Sequence, residues 1–480
     1  MIAAGGLQAT QYRLAHHYLN QLRKANTAFQ RGNENRKYWV DQIEQDWGQI
    51  NHWQRWSVQF PQDKTVDSRL ALDYVLDGYE FLVMRLSLQE RLRWLADGLA
   101  EATKLDDIHA ECRVLYHLVT TCVDLNALSD AADYGAQLTL RAAHSDDTLD
   151  SGLSLCAQGL VLMQQTQYTE AYNSYQECLG IFEQFGDNAL ISAALWGLGS
   201  IVNRLGRPQE AYEHFTRQLQ YAEEANRLSE ICSALTAVAN SLTAQDKFHE
   251  AEAYARRCAT LCRSLGFHQY LMAALFLVGE CAMELMQYNQ MLASFDEAYQ
   301  IAQSISHQRG IIHSTYCLGY AHFRLENNAQ AIAKLQNALL LVRQINSPFM
   351  LETVLETLAL VLAVNGDREN VLPILHEGLL LAQKLDTERE KVRCLMVAVM
   401  VSYLHGDYDQ ATLWTGRIYG KTILDTISFT PFLEKLEAAF QPEEFNRLLA
   451  EGKSYTLDSA VTEALVMLHM KLQGESALIQ

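Results

Sequence analysis

Gly420-Lys421-Thr422 comes nearest, in residue types, to a phosphate-binding loop. That chemistry needs G-x4-G-K-S/T after a buried strand and ahead of a helix, so that backbone N–H groups cradle phosphate oxygens. Thr415 stands where the first glycine must be, and Gly416 is one residue too close. The residues before it have helical spacing, so no nucleotide and no cofactor is expected. The histidines do not converge either. His16 and His17 are adjacent and diverge on a helix. His109 and His117 have Cys112 between them but no carboxylate set to complete a metal cage, and His313 and His322 fall on different faces. The ten cysteines contain no CxxC, and Cys258/Cys262 at i, i+4 has no second pair elsewhere. No metal site is expected. With no G-x-S-x-G and no supported Cys–His pair, the chain is not read as an enzyme.

The elements that would have to position any site are set by a repeat. Ala131, Ala171, Ala211, Ala251, Met291, Ala331, Val371 and Ala411 recur every 40 residues. Twelve positions before most of them stands a second small residue: Gly159, Gly199, Ala239, Gly279, Gly319 and Ala359. Leucine precedes that residue by four at Leu155, Leu195, Leu235, Leu275, Leu355 and Leu395, with Thr315 as the exception. A fixed period of this size means stacked units, none able to bury its apolar face alone. Two small residues 12 apart suit two antiparallel helices whose backbones touch. In one repeat the pattern predicts helix A over Ile191–Leu205, a turn at Gly206-Arg207-Pro208 and helix B over Gln209–Asn226. Gly206 would supply a positive φ, and Pro208 would pre-set the next helix. Gly186, Asn226, Gly266, Ser306, Asn346 and Asp386 mark the ends of the B helices. The fold class is therefore all-α, a right-handed superhelical solenoid of helix pairs.

Composition narrows the partners. A net charge of −19 disfavours nucleic acid, because phosphate binding needs clustered Lys and Arg. Residues 1–40 are the local exception, with Arg13, Arg23, Lys24, Arg31, Arg36 and Lys37 against Glu34 alone. They are read as a helix pair leaning on an acidic scaffold. The apolar start Met1–Leu7 lacks the charged region of a signal peptide, and no apolar run approaches the ~18 residues of a membrane span. Reduced, core-like cysteines point to a cytoplasmic protein with no membrane partner.

The 40-residue units resemble the tetratricopeptide repeat, with its small residue in mid helix A and alanine opening helix B, as at Gly199 and Ala211. The usual length in that family is 34, and the surplus here falls at the end of helix B. A second resemblance lies at the ends. His16-His17-Tyr18 through Lys37-Tyr38-Trp39-Val40, then Ile43–Trp47 and Trp53–Val58, are similar to the helical arm that opens the sensor module of bacterial STAND-type ATPases and related transcriptional regulators. Phe440, Glu443–Leu449, Ala450-Glu451-Gly452-Lys453, Leu457 and Ala460–Leu465 resemble the closing helices of that module. The chain looks like the sensor part without an ATPase or DNA-binding domain. The organisation expected is an N-terminal arm over 1–65, degenerate repeats over 66–150, tetratricopeptide-like repeats over 151–420 and capping helices over 421–480.

In a tetratricopeptide superhelix, helix A lines the concave wall. The resemblance then implies a groove faced by Trp196, Asn203, Arg204, Asn240, Phe276, Glu280, Tyr316, Tyr320, Phe323 and Arg324. Aromatic rings there would anchor a ligand, Asn203 and Asn240 would clamp a peptide backbone, and Arg204 and Arg324 would hold carboxylates. The function expected is a protein- or peptide-binding sensor or adaptor in bacterial signalling, regulation or defence, working with a separate ATPase or effector polypeptide. The alternative is a receptor for a small effector or short signalling peptide, distinguished by a deeper, closed pocket. An enzyme with an unrecognised site in the groove comes third.

Overall fold

The computed structural model describes residues 2–30, 36–59, 69–125, 127–345, 347–419 and 426–478. Gly420-Lys421-Thr422 and Asn346 lie outside the described residues. All secondary structure among the described residues is helix or turn, with no strand. Contacts divide the chain into two compact units, residues 1–281 and 282–480.

Unit 1 opens with the long helices α1 (Ile2–Gln30) and α2 (Arg36–Gln59). Three more come next: α3 (Leu70–Leu76), α4 (Tyr79–Arg85) and α5 (Leu88–Leu105). Aromatic burial seats α1 and α2 on α3 and α5. Trp47 stacks on the fully buried Trp94 with ring centroids 6.0 Å apart, and the Tyr74 hydroxyl donates to the Ala15 carbonyl at 2.7 Å. Arg23 pairs with Asp73 at 2.8 Å and Asp77 at 2.7 Å, so one basic side chain of the arm does lean on acidic neighbours.

Helix pairs then keep a 40-residue register: α6 (Ile108–Asp124) with α7 (Leu128–Ala142), α8 (Thr148–Gln164) with α9 (Tyr168–Phe185), α10 (Asn188–Arg204) with α11 (Pro208–Glu224), and α12 (Leu228–Thr243) with α13 (Phe248–Leu265). Helix α10 starts three residues earlier than apolar spacing suggests. The Asp187 carboxylate accepts from the Ala189 and Leu190 N–H groups and so fixes that start. Pro208 is the first residue of α11, where its missing N–H costs nothing.

Most turns of the repeats hold a left-handed residue. Gly206 (φ 73°) fills the A–B turn, and Asp246, Met286 and Glu326 fill the same place in later repeats with φ of 59°, 56° and 61°. Gly186, Asn226, Gly266, Ser306 and Asp386 all have positive φ after their B helices, as their spacing requires.

The small residues of the A helices have a different neighbour from the one expected. A Cβ on Gly199 would stand 2.5 Å from the Phe215 ring, not against the backbone at Ala211. Gly159 sits in the same way under Tyr175, at 2.8 Å, and Gly319 under Leu335, at 2.7 Å. The glycine makes room for a large helix-B side chain one turn beyond the alanine. Gly199→Leu should therefore lower stability by about 1–3 kcal/mol, read as a lower urea midpoint at unchanged slope. An unaltered midpoint would show that Phe215 does not fill that space.

Helix α14 (His268–Glu284) runs across the division at Cys281. Unit 2 continues the register with α15 (Tyr288–Ser304), α16 (Gln308–Arg324), α17 (Asn328–Val342), α18 (Pro348–Val364), α19 (Val371–Leu385), α20 (Glu388–Leu404) and α21 (Tyr408–Ile418). It closes with α22 (Thr426–Glu437), α23 (Pro442–Gly452) and α24 (Leu457–Leu478). Residues Cys394 to Ser402 of α20 are buried all round, which makes it the central helix of this unit. Lys391 on α20 reaches Asp386 at 2.5 Å and Asp458 on α24 at 2.7 Å, tying the closing helix to the repeats. Helices α21 and α23 meet at glycines: a Cβ on Gly452 would fall 1.9 Å from the Leu413 carbonyl oxygen, and one on Gly416 2.3 Å from that of Leu449.

Candidate ligand cleft

The A helices of unit 1 stand side by side, and their facing sides wall a cleft of about 340 Å³. Helix α6 contributes Tyr116, His117 and Thr120, α8 contributes Cys156 and Leu160, and α10 contributes Ser192 and Trp196. From α12 come Ser229, Glu230 and Ser233, and from α14 Tyr270. Tyr79 of α4 and Arg91 of α5 complete the wall from the chain's early helices. Tyr175 of α9, Gln218 of α11 and Arg227, the residue before α12, add to it from the B-helix side. A volume of this size is typical of sites that enclose a small ligand or part of a peptide.

Aromatic rings make much of the wall. Tyr79 stacks on His117 with centroids 3.5 Å apart. Burial pushes the His117 imidazole down to about 3, and the charges of Arg113, Arg227 and Arg91 act in the same direction. His117 is therefore neutral at physiological pH. The Tyr116 hydroxyl lies 3.7 Å from the Cys156 sulfur. Tyr175 is held between glycines, since a Cβ on Gly159 or Gly197 would enter its ring.

Three buried polar atoms of this wall have no hydrogen-bond partner: Arg91 Nε, Gln218 Oε1 and Ser192 Oγ. Arg91 is 5 % exposed; its Nη2 donates to the Val83 carbonyl at 2.8 Å, and its Nη1 stands 3.7 Å from Asp124. An unpaired buried polar atom costs about 1–3 kcal/mol, so three on one cavity form an incomplete hydrogen-bonding set. A donor (Arg91 Nε), an acceptor (Gln218 Oε1) and a hydroxyl able to act as either (Ser192 Oγ) lie buried within the wall, behind its apolar rings.

Of the residues expected to face a groove, Trp196 lines this cleft, half-buried and packed partly on the core. Asn203, Arg204, Asn240, Phe276 and Glu280 do not line it. The cleft meets α10 as far as Trp196, but α12 and α14 only at their first turns, so Asn203, Arg204, Asn240, Phe276 and Glu280 lie beyond it along their helices. Arg204, Asn240 and Glu280 are exposed, and Asn203 and Phe276 are half-buried. In unit 2, Phe323 is 7 % exposed and belongs to the apolar core, so it does not face a groove. Tyr316 and Tyr320 are half-buried, and Tyr316 reaches the Thr357 hydroxyl at 3.4 Å. Arg324 is engaged by phenols: it donates to Tyr288 at 2.7 Å and Tyr320 at 3.2 Å, with its guanidinium 5.0 Å above the Tyr288 ring. The cleft residues outside the expected groove include Tyr79, Arg91, Tyr116, His117, Tyr175, Ser192, Gln218, Arg227 and Tyr270.

Behind Tyr316 lies a buried ionic cluster. Arg393 donates to Glu356 at 2.6 Å, and the Cys394 thiol meets Glu352 at 3.5 Å. Burial, and behind it the Glu356 charge, raises the Glu352 carboxyl to about 7. The folded state then keeps its proton after the unfolded chain has lost it. Stability should fall as pH rises from about 4.5 to 7, by up to ~1.4 kcal/mol per pH unit from this group. Glu352→Gln should flatten that part of the stability–pH curve, measured by urea unfolding at fixed intervals of pH. A curve unchanged by the substitution would assign the slope elsewhere.

Residues 150–224 match the tetratricopeptide repeat family. The fold is shared with solved helical-repeat structures at low identity. The apo form of RapI is 14 % identical, with a TM-score of 0.57, and the match covers 71 % of this chain and 97 % of that one. The STAND protein PH0952 from Pyrococcus horikoshii, described as having a tetratricopeptide repeat sensor, is 13 % identical with a TM-score of 0.57. That match covers 88 % of this chain and 65 % of the other, so this chain spans under two thirds of its length. The apo form of the quorum sensor NprR from B. thuringiensis is 13 % identical with a TM-score of 0.53, over 75 % of this chain and 100 % of that one. No curated protein matches the sequence. The chain carries tetratricopeptide repeats, and its fold is that of tetratricopeptide helical solenoids. Among the described residues, no helix is long and apolar enough to cross a membrane.

Proposed function

We propose that this chain is a recognition scaffold of the sensor or adaptor kind, which seats a short peptide or peptide-like ligand in the cleft of unit 1. The observation that carries the reading is the set of unpartnered buried polar atoms on Arg91, Ser192 and Gln218, placed among Trp196, Tyr116, Tyr175 and Tyr270. A cavity that keeps such atoms unsatisfied gives up stability that a ligand restores on binding. Its volume of about 340 Å³ suits the small-effector or short-peptide version of the function better than a long groove for a folded partner. The fold is shared with a quorum sensor and with the repeat sensor of a STAND ATPase, in keeping with a role in bacterial signalling or regulation. Under this reading Trp196 anchors the ligand, and the information passes to a separate ATPase or effector polypeptide. Asn203, Arg204, Asn240, Phe276, Glu280, Tyr316, Tyr320 and Arg324 then serve contacts to that polypeptide.

The test is to purify the full chain from its native host and identify by mass spectrometry what leaves on denaturation. A low-mass peptide or peptide-like compound, recovered near one equivalent and lost from Trp196→Ala, is the expected result. Recovery that is equal from both proteins would place the ligand elsewhere.

A further inference from the structure

Cys258 and Cys262 stand one turn apart on the same face of α13, and the structure brings a third thiol to them, Cys232 of α12. The Cys262 sulfur is 3.3 Å from that of Cys232 and 3.8 Å from that of Cys258, and all three sulfurs lie within 4.8 Å of one another. Each of the three residues is 0 % exposed. A thiolate–metal bond is about 2.3 Å long, which puts sulfurs sharing one ion roughly 3.5–4 Å apart. The cluster is therefore close to the span that a three-sulfur site needs before anything binds. Within the cluster the Cys262 thiol donates to the Cys232 sulfur, and the Cys258 thiol donates to the Cys232 carbonyl at 3.5 Å.

We propose that Cys232, Cys258 and Cys262 bind a thiophilic ion in three-coordinate sulfur geometry, with a trivalent metalloid of the arsenite class as the matched occupant. Charge decides between candidates. Three thiolates carry −3, and burying net charge is expensive unless it is neutralised on the spot. A trivalent centre leaves the site neutral, whereas a divalent one leaves −1. A divalent zinc ion would also ask for a fourth ligand. The nearby Thr236 hydroxyl, 3.6 Å from the Cys258 sulfur, already donates to the Cys232 carbonyl at 2.8 Å. Binding is a condensation: As(OH)3 and three S–H groups give three As–S bonds and three waters. The thiol protons leave on the hydroxides, and no electron changes hands. Because Ser229, Glu230 and Ser233 on the same helix line the cleft, the ion would fasten α12 to α13 directly behind it.

The experiment adds one equivalent of sodium arsenite to the reduced full-length protein under anaerobic conditions, followed by desalting and arsenic X-ray absorption. The expected result is about one retained arsenic with three sulfur neighbours and a raised melting temperature. Cys232→Ser, Cys258→Ser and Cys262→Ser should each lose the three-sulfur shell. Cys258→Ala serves as the alternative where the serine variant does not give a wild-type circular dichroism spectrum. Cys178→Ser, which breaks the other close thiol pair with Cys156, should keep the shell. No arsenic retained by the wild type, a shell of two sulfurs, a shell that survives Cys262→Ser, or retention of zinc where arsenite is not retained would each overturn the proposal.

Discussion

Gly452→Val is expected to detach the closing helices of unit 2 from the last repeat. The α21–α23 crossing brings the Gly452 Cα to 3.1 Å from where a Cβ on Gly416 would stand, and the Leu413 carbonyl oxygen fills the space of any side chain on Gly452. The obstacle is backbone, so no rotamer change relieves it and the two helices must separate. Overpacking commonly costs about 1–3 kcal/mol, and a clash with a helix backbone belongs at or above the upper end. The signs are a fall of at least ~3 kcal/mol in urea unfolding and faster proteolysis of residues after Tyr419. Gly416→Val should cost a similar amount, and the double variant should cost much less than the sum, because the first separation makes room for the second side chain. Strictly additive losses would mean that the glycines do not share one crossing.

The second large effect concerns charge. Glu356 is 2 % exposed and is held by Arg393, whose guanidinium is pushed up first by the Glu356 charge. Arg393→Met keeps much of the side-chain volume and leaves that carboxylate buried without its cation. Breaking a buried pair from one side costs about 3–5 kcal/mol, whereas replacing both partners is often close to neutral. Arg393→Met should therefore be strongly destabilised, and adding Glu356→Gln should recover most of the loss. The check is equilibrium denaturation of both variants at pH 7.

The repeats were legible because one period governs two independent things. Alanine at 131, 171, 211, 251, 331 and 411 sets helix contacts, and left-handed residues at 186, 226, 266, 306 and 386 set the turns. Both recur every 40 residues, so each supports the other. The cleft was only partly legible. Trp196 is legible because the tetratricopeptide resemblance implies that helix A faces inward. For Asn203, Asn240 and Glu280 the tetratricopeptide resemblance gives the face of a helix but not which of its turns meets the cavity. Tyr79 comes from a short helix outside the helix pairs, whereas Arg91 stands 40 residues before Ala131, so it is the arginine of the alanine series. Gln218 carries a sequence signal of its own. Its place in helix B is filled by Leu138, Cys178, Cys258, Ala298, Ala338, Gly378 and Ile418 in the other repeats, and glutamine is the one amide of that series. Glu352 breaks its own series in the same way, after Gly152, Ser192, Cys232, Met272 and Ile312. A polar residue at a core position of a repeat marks the place where the solenoid has been adapted.

The cleft is tested most directly by measuring ligand affinity and free-protein stability together for Gln218→Leu and Ser192→Ala. Each substitution removes a buried polar atom that has no partner in the free protein. The melting temperature of the free chain should therefore stay level or rise. Affinity for the ligand recovered from the host, measured by isothermal titration, should fall about tenfold or more, as expected when a bound amide loses a buried partner. Stability and binding moving in opposite directions is the signature of a site kept unsatisfied for its ligand. Unchanged affinity in both variants would contradict a ligand cleft in unit 1.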